Sequence, residues 1–466
     1  MSNKNKALSA GIGYTIGNIL IKGINFLSIP LFSRLLTTEE FGVYNTFLAY
    51  DAILCIIISF ALYMSLRSAK VEFKEKIDEY TSSITLIYFV ISGILLLIIF
   101  LFGKYISALL DFSTLILILL VMYSFGSGII TLYNQRIGLE YNYKEYLVIA
   151  CINSVGNIFI SLLFIVTLFR GYKDIGRMLG VTIVVFGIAI YLLKKLYKKS
   201  KPIFNKKYWK FGLKYSLPIV PHGISQVLLS QFDRIMIRAI VGNSEAGIYS
   251  LAGNIKLILT IITDSIGTTW QTWFYEQIQE RKVYKIQKNA SYLTCFFAIL
   301  TICLMTLSPE LVIFLGGDNY ISGKYVALPM ILDAFVLFIY NVIVPAEYFT
   351  KKTHYIMIGT LIAAIINVVT NYIFINLYGF IAAAYTTLFS YCCYLILHLI
   401  ISKALIKFYI IPLKNFFILS NIVIVSFILD LLFIDSLKFR LIFCLIFIVP
   451  MIACILKNPK IKQLFK

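Results

Sequence analysis

The apolar residues of this chain are gathered in long blocks, and this grouping constrains the fold more than any other feature. Each block is about 20 residues long, the length that a helix needs to cross about 30 Å of hydrocarbon. Of the 466 residues, 60% are hydrophobic and only 14% are charged, whereas about a quarter are charged in a typical soluble protein. We see no run of the roughly ten-residue alternating segments that a membrane β-barrel needs. We therefore predict an all-α polytopic membrane protein with about fourteen spans, over residues 8–33, 44–66, 82–103, 112–133, 146–169, 176–194, 211–238, 248–273, 289–315, 325–349, 355–376, 379–402, 412–434 and 438–456.

Lysine and arginine are concentrated in every second connection between these spans. Such connections face the cytoplasm under the positive-inside rule, and the pattern predicts that both termini are cytoplasmic. The densest run, KKLYKKSKPIFNKKYWK over residues 194–210, lies between spans six and seven, and we expect it to be a solvated cytoplasmic loop. The net charge of +20 then follows from this bias and from attraction to anionic membrane lipids. No nucleic-acid partner is expected, because the chain has no basic domain.

Two short stretches, EEFGVYN at residues 39–45 and SEAGIYS at residues 244–250, share the pattern Glu-x-Gly-[Val/Ile]-Tyr. The second copy follows the first by 205 residues, and six predicted spans separate them. An even number of spans gives both halves the same orientation, so the repeats are predicted to be parallel. Locally the motif is expected to start a helix: Thr37/Thr38 or Asn243/Ser244 would be the N-cap, with Glu in the first turn and Tyr at the membrane interface.

This repeat predicts a division of the chain into two six-helix halves with two extra helices. Residues 1–196 would form an N-lobe with spans one to six, and residues 197–210 a basic cytoplasmic linker. Residues 211–403 would form a C-lobe with spans seven to twelve, and residues 404–466 would hold spans thirteen and fourteen and a basic tail.

The sequence contains no motif that points to catalysis. It has no GxxxxGK[ST], HExxH or GxSxG pattern, and GGDNYISGK at residues 316–324 has the wrong spacing for a P-loop. Gly13 and Gly17 are typical of close packing between membrane helices. No CxxC is present and the three histidines are scattered, so no metal site is expected. We predict that the protein is not an enzyme and uses no cofactor, and that a gradient of ions or of substrate drives it.

Polar side chains inside the spans are the candidates for a binding site. A charge at the bilayer centre costs about 2.5–3.5 kcal/mol on insertion scales, so such residues usually face an interior cavity. Spans one and seven each carry a stripe of polar residues at helical spacing. The candidate residues of a central substrate-binding cavity are Asn18, Lys22, Asn25, Asp51, His222, Gln226, Asp233, Arg234, Lys256 and Asp264.

The charges in this set leave two kinds of cargo open. Lys22 could bind an anion in the cavity or pair within the bundle, and Lys22, Lys256 and Arg234 together would favour pyrophosphate. A cavity dominated by carboxylates would favour a cation or a drug. Asp51 and Lys256 occupy equivalent places in the two repeats and could form a salt bridge between the lobes or be separate helix-end charges.

The remaining candidates also have more than one interpretation. His222 could carry a proton, or it could be a hydrogen-bonded interior residue. Asp233 and Arg234 could contact the substrate or belong to the outer mouth. Glu347, near the inner end of span ten, is expected on a solvated face.

The segment EYFTKKTHYIMIGTLIAAIINVVTNYIFINLYGFIAAAYTTLFSY, residues 347–391, closely resembles the polysaccharide flippase family of the MOP exporter superfamily, the O-antigen and capsule-unit flippases. Residues 30–45, 233–252 and 269–277 resemble the same family. Ala382 departs from the pattern, since many members have a glycine there, and this affects packing more than function. The positions that match are Lys351, Lys352, Thr353, Asn367, Asn371, Gly379, Ala382–Ala384, Thr386, Ser390 and Tyr391.

The resemblance implies two six-helix lobes around a central cavity, with the last two helices near a lipid-tail groove. It implies alternating access that carries an undecaprenyl-pyrophosphate-linked oligosaccharide to the outer leaflet, with cavity cations on the pyrophosphate or on acidic sugars. We therefore predict a flippase of the bacterial cytoplasmic (inner) membrane for O-antigen, capsule or exopolysaccharide synthesis. Its partners would be this lipid-linked substrate, membrane lipids, a coupling ion (H⁺ or Na⁺) and other polysaccharide-assembly membrane proteins. The alternatives are a multidrug/cation antiporter of the same superfamily and a membrane glycosyltransferase or polymerase, and Lipid II is another cargo within the flippase class.

Overall fold

The computed structural model describes residues 3–456, and the regular structure in this range is helical. The all-α prediction is confirmed. The ends predicted to be cytoplasmic, residues 1–2 and 457–466, lie outside the described residues. In chain order the helices are α1 (Asn3–Leu35), α2 (Thr38–Ser59), α3 (Leu66–Phe73), α4 (Ile77–Leu110), α5 (Thr114–Gly138), α6 (Tyr143–Thr167), α7 (Lys173–Lys199), α8 (Lys206–Ser216), α9 (Val220–Ile240), α10 (Asn243–Ile255), α11 (Leu257–Gln279), α12 (Val283–Gly316), α13 (Lys324–Ile343), α14 (Pro345–Phe349), α15 (Thr353–Tyr378), α16 (Ile381–Ile406), α17 (Leu413–Leu432) and α18 (Leu437–Leu456).

Each predicted span overlaps one of these helices or two consecutive ones. Among the described residues, eleven helical segments are long and apolar enough to cross a membrane, and there are twelve if the bent pair α10 and α11 is one span. The protein is therefore a multi-pass helical membrane protein, as predicted. The count of fourteen spans and the side on which the termini lie stay predictions.

The chain divides into two compact units, Met1–Ala246 and Gly247–Lys466. In the first unit α5 packs against α2, α4 and α7, α6 packs against α1 and α7, and α2 packs against α9. In the second unit α15 and α16 form a pair, α13 packs against α12 and α16, and α12 also packs against α17 and α18. The lobe boundaries that the repeat predicts stay a prediction.

Glycines bring helices of the first unit into close contact. A Cβ added at Gly13 would lie 2.3 Å from the ring of Tyr143, and one at Gly17 would lie 1.8 Å from a methyl group of Leu147 on α6. Lipid tails are as apolar as leucine, so helices in a membrane associate largely through such close packing. The prediction that Gly13 and Gly17 allow span one to pack closely is confirmed.

The basic run at residues 194–210 is not the solvated loop that we expected. Its first lysines end α7, and its last residues begin α8, which is amphipathic. Tyr208 of α8 is buried, and its hydroxyl donates to Glu79 Oε2 at 3.0 Å. Burial, and next the hydrogen bond to Glu79, raise the pKa of Tyr208, so this hydroxyl stays a donor. The Trp209 indole donates to the Ser83 carbonyl. Aromatic residues interleaved with the lysines therefore dock this helix on α4, while most of the lysines remain exposed.

The first copy of the repeated motif starts α2, as predicted. Thr37 is the N-cap, and its hydroxyl accepts from the Glu40 N–H at 3.1 Å. Glu40 accepts from the Thr37 N–H at 2.8 Å, which completes a capping box. The same carboxylate also accepts from the Lys173 N–H at the start of α7, so the motif fastens the α1–α2 corner to α7.

The second copy starts α10 in a different way. The helix begins at Asn243, and the carbonyl of Gly242 accepts its first bond from Ala246, so the N-cap position is Gly242 and not Asn243 or Ser244. Gly242 has φ +150°, a backbone angle that residues with a side chain rarely adopt. The predicted interface role of the tyrosines is also wrong, because Tyr249 is 2% exposed and Tyr44 packs on a buried arginine, Arg177.

The segment that resembles the flippase family joins α15 to α16. Asn367 donates to Thr387 at 2.8 Å, Asn371 donates to Asn367, and Thr386 donates to Asn371. Both asparagines are fully buried. Gly379 ends α15 with φ +75°, a left-handed conformation that favours glycine. These matched positions therefore hold a helix pair together.

Candidate functional site

The polar stripe of α1 is divided between two environments. Asn18 is half-buried and accepts a hydrogen bond from the Tyr146 hydroxyl of α6 at 2.6 Å. Lys22 is half-buried, and Asn25 is exposed. Asn18 lies beside Gly13 and Gly17, which pack on α6. The beginning of the stripe therefore contacts α6, whereas Asn25 is exposed.

The polar stripe of α9 is buried only at Asp233, near the end of the helix. Gln226 is exposed, His222 is half-buried, and Asp233 is only 4% exposed. The Nδ1 atom of His222 is buried and has no hydrogen-bond partner. Arg234 donates to Gln231 Oε1 at 2.7 Å.

Asp51 lies on α2 and is bound from α5. Its Oδ1 atom accepts from the Ser124 hydroxyl at 2.7 Å, and Ser124 is fully buried. The partner of Asp51 therefore comes from the same unit and is neutral. Sequence reasoning missed Ser124, because a serine in an apolar span is common and gives no signal.

Lys256 occupies a break in a membrane helix. It is the single residue between α10 and α11, whose axes differ by 43°. Its ammonium group lies 3.1 Å from both carboxylate oxygens of Asp333 on α13. Asp333 is fully buried, and the Lys256 side chain is 23% exposed. The ammonium group at this break is thus held by a buried carboxylate, and its side chain is still partly accessible to solvent.

The partner of Lys256 in the structure is thus Asp333 and not the Asp51 that the repeat indicated. A pair of opposite charges inside apolar helices could have been found from the sequence, since intramembrane charges usually pair with one another. The other candidate on these helices, Asp264 of α11, is exposed. Asn18, Asp51, Arg234 and Lys256 are each bound by a residue outside the predicted set, and the common central cavity stays a prediction.

The turns that precede the two motif copies touch each other. Thr38 and Ser244 are joined by a hydroxyl–hydroxyl hydrogen bond of 2.7 Å, and Asn243 donates to Glu39 at 3.5 Å. Arg238 donates to Asn243 at 2.6 Å. It also donates to the backbone carbonyl and to the carboxylate of Asp111, the residue that follows α4. The guanidinium also lies 3.9 Å from the ring centre of Phe112.

Arg177, a buried arginine of the first unit, was not predicted. Arg177 of α7 is 7% exposed, and its guanidinium lies 3.4 Å from the ring centre of Phe32 and 4.8 Å from that of Tyr44. It also donates to the Asn157 carbonyl at 3.2 Å. Aromatic rings of α1 and α2 thus contact this guanidinium group.

The expectation that Glu347 lies on a solvated face is wrong. Glu347 is fully buried, and its Oε1 atom lies 2.6 Å from Nδ1 of His398 on α16, which is also fully buried. The short helix α14 turns Glu347 toward α16 instead of toward solvent. The signal that we missed was His398 itself, an ionisable residue in the middle of an apolar span.

A groove in the second unit has an apolar lining. It has a volume of about 570 Å³ between α15 and α16, and four of its eight lining residues are aromatic. Tyr385 in this wall also contacts Phe427 of α17, with ring centres 6.5 Å apart. Such a groove suits a hydrocarbon chain. It is lined by Thr370, Phe374, Tyr378, Ile381, Ala382, Tyr385, Thr386 and Phe389.

The comparisons with known proteins agree with this architecture. Residues 8–277, more than half of the chain, match the family model described as "Polysaccharide biosynthesis protein". The chain belongs to this family. A curated relative, Lsg locus putative protein 1 of Haemophilus influenzae, is 21% identical over 202 residues, which are 42% of this chain and 50% of the relative. The chain therefore matches about half the length of that relative.

Solved structures with the same fold are membrane transporters. The Lipid II flippase MurJ in an inward closed conformation has a TM-score of 0.75 and 16% identity, over 96% of this chain and 99% of MurJ. An inward-facing multidrug resistance MATE family transporter of the MOP superfamily has a TM-score of 0.57 and 14% identity, over 87% and 95% of the two chains. The predicted relation to proteins of polysaccharide synthesis is thus confirmed by the family match, and the fold is shared with a flippase and with a transporter of the MOP superfamily. A multi-pass protein of this family is consistent with the bacterial inner membrane.

Among the described residues, no group of three or more His, Cys, Asp or Glu side chains is arranged to hold a metal ion. The polar contacts described above are hydrogen bonds, ion pairs and cation–π contacts.

Proposed function

We propose that the protein is a flippase for undecaprenyl-pyrophosphate-linked oligosaccharides in the bacterial cytoplasmic membrane. The cargo would serve O-antigen, capsule or exopolysaccharide synthesis. The observation that carries the proposal is the match to a polysaccharide biosynthesis family in a chain whose fold is that of flippases and transporters. Similarity to the Lipid II flippase over nearly the whole of both chains supports a lipid-linked cargo.

The cargo has an anionic centre, and Lys256 is the residue that we assign to it. A pyrophosphate and the Asp333 carboxylate are both oxyanions, so they compete for one ammonium group. Lys256 lies at the bend between α10 and α11, and its side chain is partly exposed. In the proposed cycle the pyrophosphate replaces Asp333 at Lys256 while the cargo is bound, and the pair forms again after release. Lys22 and Arg234 stay proposed contacts for the same anionic group.

The proposed transport is by alternating access between two lobes, residues 1–196 and 211–403. In that division α9 belongs to the C-lobe, so its contact with α2 and the bond between Thr38 and Ser244 would separate when the outer side opens. The hydrogen bonds at these corners are few, which suits a contact that must break and form again. The groove between α15 and α16 is proposed to hold part of the polyprenyl chain.

The second candidate is a multidrug or cation antiporter. It is favoured by the fold shared with a multidrug transporter and by the buried carboxylate Asp333. In that case Asp333 would bind the cationic drug after losing Lys256. A glycosyltransferase or polymerase stays a weaker alternative.

One reconstitution experiment separates the candidates. The protein in liposomes is given a fluorescent lipid-pyrophosphate oligosaccharide, and an impermeant reagent reads how much of it is exposed outside. We expect transfer between leaflets to be at least tenfold faster than in empty liposomes. Transfer no faster than in empty liposomes, together with efflux of a cationic dye, would overturn the flippase assignment.

A further inference from the structure

Glu347 and His398 form a closed polar pair in the interior of the second unit, and we propose that it is a proton-binding site. Both side chains have no exposure to solvent, and Oε1 of Glu347 lies 2.6 Å from Nδ1 of His398. The other atom of each group, Oε2 of Glu347 and Nε2 of His398, is buried and has no hydrogen-bond partner. Two buried ionisable groups thus share one bond, and each keeps one polar atom unused.

The unused atoms define where a proton would be bound. With a neutral imidazole, Nδ1–H donates to Oε1 of the carboxylate, and Nε2 keeps its lone pair. One added proton then goes either to Nε2, which makes an ion pair, or to Oε2, which makes a neutral acid beside a neutral imidazole. Either position keeps the 2.6 Å bond intact, so the site changes its net charge by one and keeps its geometry.

The surroundings leave room for a proton but not for a larger ion. A Cβ added at Gly359 of α15 would lie 2.5 Å from Nε2 of His398, so the α15 backbone closes that side. The rings of Tyr340 and Tyr394 pack on the imidazole, with ring centres 5.0 and 4.4 Å away. A metal ion needs several ligands, and the described residues here supply only one carboxylate and one imidazole.

The titratable groups that face the pair from neighbouring helices are phenols. Tyr340 comes from α13, Tyr394 from α16 and Tyr348 from α14 itself, and Tyr275 of α11 lies behind Tyr348. Phenols are neutral at physiological pH. The nearest basic residues along the chain, at positions 351–352, are exposed. In the described part of the chain no fixed charge contacts the pair, so proton binding changes the charge of the interior.

The position of the pair connects this charge to helix movement. Glu347 lies on α14, a five-residue helix that separates the long helices α13 and α15, and His398 lies on α16. Loss of the proton leaves a carboxylate held by one neutral donor, whereas the protonated pair is net neutral. The strength of the α14–α16 contact thus depends on protonation at the end of the unit predicted to be cytoplasmic. A coupling role, in which an H⁺ gradient drives transport through this site, rests on the proposed flippase function.

The proton site is tested without any transport assay. Wild-type protein labelled with ¹⁵N-histidine is titrated in lipid between about pH 5 and 8, where imidazole groups respond, and the NMR signals are assigned with His354→Gln and His222→Gln. We expect one of two changes over this range: a change of the His398 signal if Nε2 takes the proton, or a change of the infrared band of a protonated carboxyl group if Oε2 takes it. The change should be lost in Glu347→Gln and His398→Gln and kept in the control His354→Gln, since His354 is exposed. A His398 signal and a carboxyl band that both stay constant would overturn the proposal, and the wild-type measurement decides this even where a variant does not fold.

The coupling role is tested in the liposome assay with and without a pH gradient. We expect the gradient to accelerate transfer severalfold in the wild type and in His354→Gln, and this stimulation to be lost in Glu347→Gln. Equal stimulation in wild type and Glu347→Gln would overturn the coupling role. An absence of wild-type transfer would instead overturn the proposed function, while the NMR and infrared measurements still decide the proton site.

Discussion

Thr38 Oγ1 and Ser244 Oγ lie 2.7 Å apart, although they are 206 positions apart in the chain. The neighbouring bond joins Asn243 to Glu39. The two motif copies are 205 residues apart. In this alignment Thr38 corresponds to Asn243, and Glu39 corresponds to Ser244. Each bond is therefore the image of the other, and this reciprocal pattern is what a two-fold axis produces. The starts of the two motif copies are therefore joined by hydrogen bonds.

Cysteines at these two positions should lock the corner. In a background without native cysteines, we expect Thr38→Cys/Ser244→Cys to form a disulfide on oxidation, because hydroxyls 2.7 Å apart place their Cβ atoms within the range of the bond. If this corner opens during alternating access, transfer of the lipid-linked oligosaccharide should stop and return after reduction. The liposome assay measures both.

The matched control for this lock is Ser107→Cys/Thr114→Cys. These hydroxyls are 3.2 Å apart on consecutive helices of one hairpin, α4 and α5. A disulfide here should form equally well and leave transport unchanged. Full transport in the oxidised Thr38/Ser244 variant would contradict the proposal that this contact separates.

The Lys256–Asp333 pair allows stability to be separated from function. Lys256→Met leaves a fully buried carboxylate without its cation, and the loss of one partner of a buried ion pair costs about 3–5 kcal/mol. We expect Lys256→Met/Asp333→Leu to regain most of this stability, since apolar replacement of both partners is often neutral. Thermal unfolding in detergent measures the recovery.

Transport should not recover in that double variant if Lys256 holds the pyrophosphate. The control is Lys282→Met/Glu280→Leu, an ion pair in which both side chains are about half exposed, so its loss should change stability little. A stable double variant at Lys256 and Asp333 with wild-type transfer would exclude Lys256 from the site.

Two glycines of α7 should respond in opposite ways to alanine. A Cβ at Gly180 would lie 2.6 Å from the Cα of Ser161, which is backbone of α6 and cannot swing aside. We expect Gly180→Ala to lower the free energy of unfolding by about 1–3 kcal/mol through overpacking. Gly187 has no atom within 4 Å of its added Cβ, so Gly187→Ala should stabilise the helix by up to about 1 kcal/mol. Equal melting temperatures for the two variants would contradict the close α6–α7 contact.

Arg177 should not tolerate lysine. Its planar guanidinium lies against Phe32 and near Tyr44, and an ammonium group cannot stack in this way. We expect Arg177→Lys to lower stability by about 1–2 kcal/mol, the size of a desolvated cation–π contact. Arg170→Lys is the control, because Arg170 is exposed in the turn after α6 and donates to the Val166 carbonyl near the end of that helix. Its melting temperature should be that of the wild type.

Sequence reasoning predicted the features that depend on local physics. Long apolar blocks identified the helices, Gly13 and Gly17 identified a close contact, and Thr37 with Glu40 identified the start of α2. It erred where amphipathic or charged residues were assumed to be solvated. Tyr208 docks the basic run on α4, and Glu347 is enclosed by α16, since each finds a partner far away in the chain.

The sequence by itself determined the helical membrane class of this protein and the places of its long apolar helices, because hydrophobic length and helix-start chemistry act within about twenty residues. Only the tertiary structure decided which charges pair. Lys256 meets Asp333, Asp51 meets Ser124, and Glu347 meets His398. Each bond joins residues more than 50 positions apart, and the packing of separate helices decides whether two such side chains face each other.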